Sequence, residues 1–159
     1  MTSVKSIMLD TSFCIRLLDK NDSLHLNALD YFKYFLLEKT SIHLSAIAVA
    51  EYAVGDDPLN LPINNLQIEA FDFLDAKTAG IFHKEIKGNQ SNIHNYQRRI
   101  ITNDVKILAQ IGTKKIDAII SKDVNSLKQY VQPLISANLL QVKFFDLNTP
   151  LSAFLGKLF

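Results

Sequence analysis

The chain has 159 residues, a formal net charge of +1 and 48% hydrophobic residues, which suits one soluble domain with one core over residues 1–159. No run of about 18 uncharged apolar residues is present, so no membrane span is expected, and the N-terminal apolar run is too short for a signal peptide. Cys14 is the only cysteine, which excludes an internal disulfide and fits a cytoplasmic protein. A nearly neutral chain is not a general polycation, so a nucleic-acid partner would need a local basic patch.

The first half of the chain alternates short apolar runs with amphipathic segments. It predicts a strand at 4–9, helices at 11–19 and 24–39, a strand at 42–44, and a helix at 45–54 that Ser45 caps. Gly55 ends that helix, and residues 55–65, with their Gly, Pro and Asn, predict a loop.

The second half continues the same alternation. The pattern predicts a strand at 68–73, a helix at 75–87 capped by Asp75, and then a polar loop. A helix at 100–111, capped by Thr102 or Asn103 and closed by Gly112, precedes a strand at 116–120. The chain then continues with a helix from 124 past 130, a strand at 142–145, and a last helix capped by Thr149. Strands that alternate with helices predict an α/β domain, a three-layer sandwich with a five-stranded, mainly parallel sheet.

Four acidic residues fall where such a sheet places ligands, at the carboxyl ends of its strands. Asp10 directly follows the first strand, and Asp123 follows the fourth. Glu51 lies on the helix after the second strand, and Asp104 opens the helix that precedes the fourth strand. From Asp104 a helix of about 9 residues leads away from this edge of the sheet, and a strand of about 6 residues leads back to it at Asp123. The two carboxylates can therefore lie at the same edge, or rim, of the sheet.

Four carboxylates on one rim would repel one another unless a cation lay among them, and oxygen ligands suit Mg²⁺ or Mn²⁺. One or two such ions activate water for in-line displacement at phosphorus. The four histidines of the chain show no close ligand pairing, which disfavours zinc. Taken singly, Asp10 and Asp123 can also be helix caps, and Asp104 suits any first helical turn. The set therefore indicates a site more strongly than any member does.

Four segments carry a resemblance to a known family. They are "MLDTSFCIRLL", "LSAIAVAEYAVG", "NDVKILAQIG" and "IDAIISKD", which contain the four acids in this order. The chain resembles the PIN-domain family over nearly its whole length, and most closely the small bacterial VapC-like toxin ribonucleases. The resemblance implies a sheet in order 3-2-1-4-5, a metal-dependent endoribonuclease, and a homodimer inhibited by a cognate antitoxin protein.

The resemblance also implies roles for single residues. Asp10, Glu51, Asp104 and Asp123 would hold Mg²⁺ or Mn²⁺ and orient the attacking water. Thr11, Ser12 and Ser121 would support these ligands by hydrogen bonds. Five basic residues near the rim can hold RNA phosphates or be ordinary surface charges: Arg16, Arg98, Arg99, Lys106 and Lys122.

Two other functions compete with this interpretation. A haloacid-dehalogenase-type phosphatase also starts with a strand and an acidic motif, but it requires a second Asp two residues after the first, where this chain has Ser12. A non-catalytic PIN-like module that binds RNA or protein is the main alternative. The presence of all four acids gives no support for a loss of catalysis.

Overall fold

The computed structural model describes residues 4–88 and 100–156 of the chain. Its sheet consists of β1 (Ser6–Leu9), β2 (Ser41–Ser45), β3 (Gln67–Glu69), β4 (Ala118–Ser121) and β5 (Lys143–Asp146). The strands lie in the order β3-β2-β1-β4-β5, and each neighbouring pair is parallel. The predicted α/β class and strand order are therefore confirmed. Because β1 is central and covered on both faces, its residues Ile7 to Leu9 are fully buried, which explains its unbroken apolar run.

Helices flank the sheet in two groups. One group contains α1 (Thr11–Leu18), α2 (His25–Leu37), α3 (Ala46–Tyr52) and α7 (Leu151–Gly156), and the other contains α4 (Phe73–Ile86), α5 (Asn103–Thr113) and α6 (Val124–Ser136). Two short 3-10 turns occupy the predicted loop between α3 and β3. Among the helices that the structure describes, none is both long enough and apolar enough to cross a membrane.

The third strand and the following helix differ from the sequence prediction. β3 ends at Glu69 rather than at 73, because its partner β2 ends at Ser45 and offers no backbone beyond that register position. The N-cap of α4 is Asp72, whose side chain accepts a hydrogen bond from the backbone N–H of Asp75. Asp75 is therefore not the predicted cap but the third residue of the helix, which completes a capping box with Asp72, and it is fully buried.

The fifth helix starts at Asn103 rather than at 100, directly after one of its two predicted caps, and it ends later than predicted. Thr102, one of the two predicted caps, accepts from the backbone N–H of Val105 at 3.3 Å. The helix continues through Gly112, which does not terminate it. A Cβ atom at Gly112 would lie 3.3 Å from Cζ of Phe82. The glycine thus allows close packing of α5 against α4.

Candidate metal-binding rim

Asp10 stands at the end of the central strand, where its backbone N–H donates to the carbonyl of Ile120 at 3.1 Å. Its Oδ1 accepts from the backbone N–H of Thr11 at 2.9 Å, so Asp10 caps α1. Its Oδ2 accepts from the hydroxyls of Ser12 at 2.7 Å and Ser121 at 2.6 Å. With 9% of its surface exposed, the carboxylate is held firmly in one orientation. The acid therefore acts as a helix cap and also joins β1 to β4.

The turn formed by residues 121–123 follows β4 and is tied to the same carboxylate. The hydroxyl of Ser121 accepts from the backbone N–H of Asp123 at 2.9 Å. The hydroxyl of Ser12 accepts from the backbone N–H of Lys122 at 3.1 Å. Asp123 occupies the N-cap position of α6, but its side chain makes no capping hydrogen bond. Because its exposed carboxylate is not used as a cap, it remains available to a ligand at the rim.

Glu51 reaches the rim from α3. That helix starts where β2 ends, and the hydroxyl of Ser45 accepts from the backbone N–H of Ile47 at 3.1 Å. The Oε1 atom of Glu51 accepts from the hydroxyl of Thr11 at 2.9 Å. The three predicted supporting hydroxyls therefore all contact predicted ligands, since Thr11 bonds to Glu51 while Ser12 and Ser121 bond to Asp10.

Asp104 lies in the first turn of α5 and is half-buried. Burial, followed by the charges of Asp10, Glu51 and Asp123, raises the pKa of its carboxyl from 3.8 to about 6. Each of these carboxylates is thus close enough to act on Asp104 electrostatically. The structure therefore brings the four predicted acids to one rim.

The chemistry of this rim fits a hard divalent ion. Among residues 4–88 and 100–156, no three His, Cys, Asp or Glu side chains are grouped closely enough to hold an ion together. Mg²⁺ does not require such a group, because it usually keeps several waters and binds through one or two carboxylates. All four acids offer only oxygen atoms, the ligands that Mg²⁺ and Mn²⁺ prefer.

The predicted basic residues differ in their surroundings. Arg16 is engaged within the protein: its Nη1 donates to the carbonyl of Ser12 at 3.2 Å, and its Nε lies 3.4 Å from Oδ2 of Asp22. Lys122 is exposed and Lys106 is half-buried. Arg98 and Arg99 lie outside the described residues.

Two further polar residues at this edge were not singled out from the sequence. Asp146 ends β5 and is paired in register with Ser121. Its Oδ1 accepts from the backbone N–H of Asn148 at 2.9 Å and from Nδ2 of Asn148 at 2.8 Å. The same Nδ2 donates to the carbonyl of Lys122 at 2.8 Å. An acid directly after a predicted strand was the available signal, as it was for Asp10.

Comparisons with known proteins find similar structures but no match by sequence. No protein-family model matches the chain, and no curated protein matches it by sequence. Its structure is similar to that of VapBC2 from Rickettsia felis bound to a DNA fragment from their promoter. The TM-score is 0.57 at 18% identity, and the match covers 89% of this chain and 99% of that chain.

Two more solved structures agree. DNA-bound VapBC from Salmonella typhimurium matches with a TM-score of 0.56 at 15% identity, over 87% of this chain and 97% of that chain. VapC20 from Mycobacterium tuberculosis, a sarcin-ricin loop cleaving toxin, matches with a TM-score of 0.50 at 16% identity, over 76% of this chain and 93% of that chain. At these identities the likeness establishes the fold. The chain therefore has the α/β fold of the VapC structures, and the PIN-like fold predicted from its sequence is confirmed.

Proposed function

We propose that this protein is a divalent-metal-dependent endoribonuclease and the toxin of a toxin–antitoxin pair. The observation that supports this best is the four-acid rim: Asp10, Glu51 and Asp123 all act electrostatically on Asp104 in a chain with the fold of the VapC toxins. One of the similar structures is that of a toxin that cleaves the sarcin-ricin loop. An RNA substrate and an antitoxin partner imply that the protein acts in the cytoplasm.

The residues of the rim have distinct roles in this proposal. When bound, Mg²⁺ or Mn²⁺ would lower the pKa of a water molecule and offset the phosphate charge. Asp10, fixed by three hydrogen bonds, would be the most firmly placed ligand, and Glu51 would be held for the same purpose by Thr11. Asp104 and Asp123 would add oxygen ligands for the ion and orient water for attack on phosphorus. The bond from phosphorus to O3′ breaks, O3′ takes up a proton, and the phosphate stays on O5′ of the downstream fragment.

RNA cleavage by the purified chain tests this reaction. Single-stranded RNA and a sarcin-ricin loop hairpin are incubated with Mg²⁺ or Mn²⁺ or with chelator, and the fragment ends are analysed. We expect cleavage only with metal, leaving 5′-phosphate and 3′-hydroxyl ends. Asp10→Asn should lower the rate by more than about 100-fold, since the loss of residues that merely support metal ligands already costs roughly 10–100-fold. Asp30→Asn, which changes an exposed acid of α2, should retain the rate.

Two results would contradict the proposal. Fragments with a 2′,3′-cyclic phosphate would show attack by the 2′-hydroxyl rather than by water. Metal-independent RNA binding without cleavage would favour the non-catalytic module instead.

A groove beside the rim supports the antitoxin as partner. The groove has a volume of about 380 Å³ and is lined by Ile15, Leu18, Asp19, Glu51, Tyr52, Val54, Gly55 and Asp56. Val54 is 90% exposed and Ile15 is 42% exposed. An apolar floor with an acidic border fits a segment that carries apolar side chains and a Lys or Arg directed at Glu51. We propose that this segment belongs to the antitoxin and blocks the rim.

Co-expression with the product of the adjacent gene, followed by size-exclusion chromatography, tests the partner. We expect a complex that Val54→Arg weakens, because the new cation would oppose the basic residue of the antitoxin. Leu26→Arg adds the same charge at an apolar position of α2 that is 71% exposed and outside the groove, and it should leave the complex intact. Equal effects of both variants, or no complex with the wild type, would argue against this groove. The elution volume of the free chain on the same column tests the homodimer that the family resemblance implies.

A further inference from the structure

The side chain of Asn148, which follows β5, contacts the turn that carries Asp123. We propose that Asn148 is a positioning residue that fixes this turn at the rim, so that its loss weakens the binding of a divalent ion. This inference rests on the proposed function, because it assigns a role to the turn as part of the metal-binding rim. Asn148 would not touch the ion or the RNA but would act through the backbone of Lys122.

The turn at 121–123 is anchored on both sides of one peptide unit. On the amide side of the unit that joins Lys122 to Asp123, the N–H of Asp123 donates to the hydroxyl of Ser121 at 2.9 Å. In the preceding peptide unit, the N–H of Lys122 donates to the hydroxyl of Ser12 at 3.1 Å. On the carbonyl side, the oxygen of Lys122 accepts from Nδ2 of Asn148 at 2.8 Å. Asn148 thus completes the set of contacts that orients the backbone leading into Asp123.

The orientation of the Asn148 amide is itself determined by its neighbours. Its Nδ2 has two hydrogen atoms, and the two acceptors within bonding distance are the carbonyl of Lys122 and the carboxylate of Asp146, each at 2.8 Å. Asp146 also accepts from the backbone N–H of Asn148 at 2.9 Å. Because a carboxylate can only accept hydrogen bonds, Asp146 must face Nδ2 of Asn148 rather than its Oδ1. The contact to Lys122 is therefore built into the end of β5.

This arrangement matters because the backbone of the turn carries the carboxylate of Asp123 to the rim. Its carboxylate is exposed and makes no capping bond to α6, so its place at the rim depends on the backbone of the turn. Asn148 is also exposed, so replacing it removes a hydrogen bond without opening a cavity in the core. Variants at this position are therefore expected to fold.

The chain provides a matched control in Asn27 of α2. Its Nδ2 donates to the carbonyl of Leu147 at 3.0 Å, which is the same kind of bond to the residue next to Asn148. Asn27→Ala therefore removes an equivalent anchor of the segment after β5 but leaves the turn at 121–123 untouched. Asn148→Ala and the nearly isosteric Asn148→Leu remove the anchor of the turn itself.

Calorimetric titration of the intact chain with Mn²⁺ tests the inference, together with the Mn²⁺ dependence of RNA cleavage. We expect Asn148→Ala and Asn148→Leu to raise the Kd for Mn²⁺ by about 5- to 10-fold, near the lower end of the effect of residues that support metal ligands. The Mn²⁺ concentration for half-maximal cleavage should rise equally, and saturating Mn²⁺ should restore most of the rate. Asn27→Ala should keep the Kd of the wild type.

The possible failures are distinguishable. Unchanged Mn²⁺ binding in both Asn148 variants would overturn the inference, and so would an equal weakening by Asn27→Ala, which would indicate a general effect of the segment. A wild-type chain that binds Mn²⁺ but cleaves no RNA would contradict the proposed function, while the Kd values would still decide the role of Asn148. A wild-type chain that binds no Mn²⁺ would overturn both.

Discussion

Single carboxylates in this protein combine roles that the sequence presents as alternatives. Asp10 caps α1 through Oδ1 and receives two hydroxyl bonds at Oδ2. A cap needs only one acceptor oxygen, so the second oxygen is available to tie two strands together. The same residue can therefore stabilise the helix and define the rim.

The raised pKa of Asp104 predicts that the stability of the protein depends on pH in a specific way. Its carboxyl has a pKa of about 6 in the folded chain and an ordinary value of 3.8. The folded chain therefore binds the proton more tightly than the unfolded chain does. The free energy of unfolding should fall as pH rises from about 4 to about 6, and this loss should be complete above that window.

Asp104→Asn should abolish this fall in the free energy of unfolding with rising pH, because an amide does not ionise. In chelator, we expect the variant to melt higher than the wild type at about pH 7.5 and at nearly the same temperature at about pH 4. Thermal melts at the two pH values measure the difference, with Asp30→Asn as the control that should show no such change. A stability gain of the Asp104→Asn variant that is equal at both pH values would contradict the charge-based explanation.

Between elements, a buried polar cluster joins α4 to α5 on the side of the sheet that carries β3. Asp75, fully buried on α4, accepts from the hydroxyl of Thr113 and lies 3.3 Å from Nζ of Lys114 at the end of α5. Lys114 is also within 4.0 Å of Glu69 in β3 and within 3.5 Å of Asp72. A buried carboxylate is tolerated here because a cation and hydroxyl and amide donors satisfy it.

Asp75→Ala should therefore lower the free energy of unfolding by about 3 kcal/mol, since it leaves partners of a buried ion pair without their anion. Asp72→Ala, which removes an exposed N-cap at the start of the same helix, should lower the free energy of unfolding by much less. Denaturant unfolding at neutral pH measures both values. Equal losses would show that Asp75 contributes only through the capping box.

Over the whole molecule, the charges nearly cancel, with 17 Lys and Arg against 16 Asp and Glu. For the proposed ribonuclease, RNA affinity would then come from cations close to the rim rather than from the overall field. Of the five predicted phosphate contacts, Arg16 is already committed to Ser12 and Asp22, whereas Lys122 is exposed beside the site.

Lys122→Ala should reduce the salt dependence of RNA binding. In the Asp10→Asn background, which prevents cleavage, the slope of log K against log salt concentration should become shallower by about 0.7, the value for one phosphate contact to single-stranded nucleic acid. Fluorescence anisotropy with a labelled RNA measures the slope. Lys33→Ala removes the same charge from an exposed position of α2 and should leave the slope unchanged. Parallel behaviour of the two variants would exclude Lys122 from the contact.

The sequence by itself determined the features that depend on local pattern. The apolar runs and the acids that follow them indicated an α/β fold and placed Asp10 and Asp123 at strand ends, because a buried parallel strand must be continuously apolar and must end at the rim. The resemblance to the PIN-domain family supplied the strand order, which the structure confirms.

Tertiary structure decided the features that depend on residues far apart in the chain. The end of β3 is set by the end of β2, a much earlier element, and the burial of Asp75 is made possible by Thr113 and Lys114 of another helix. The link from Asn148 to Lys122 likewise joins two strand ends separated by 26 positions. Such contacts have no local signature, because they arise only when the sheet brings the carboxyl ends of its strands together.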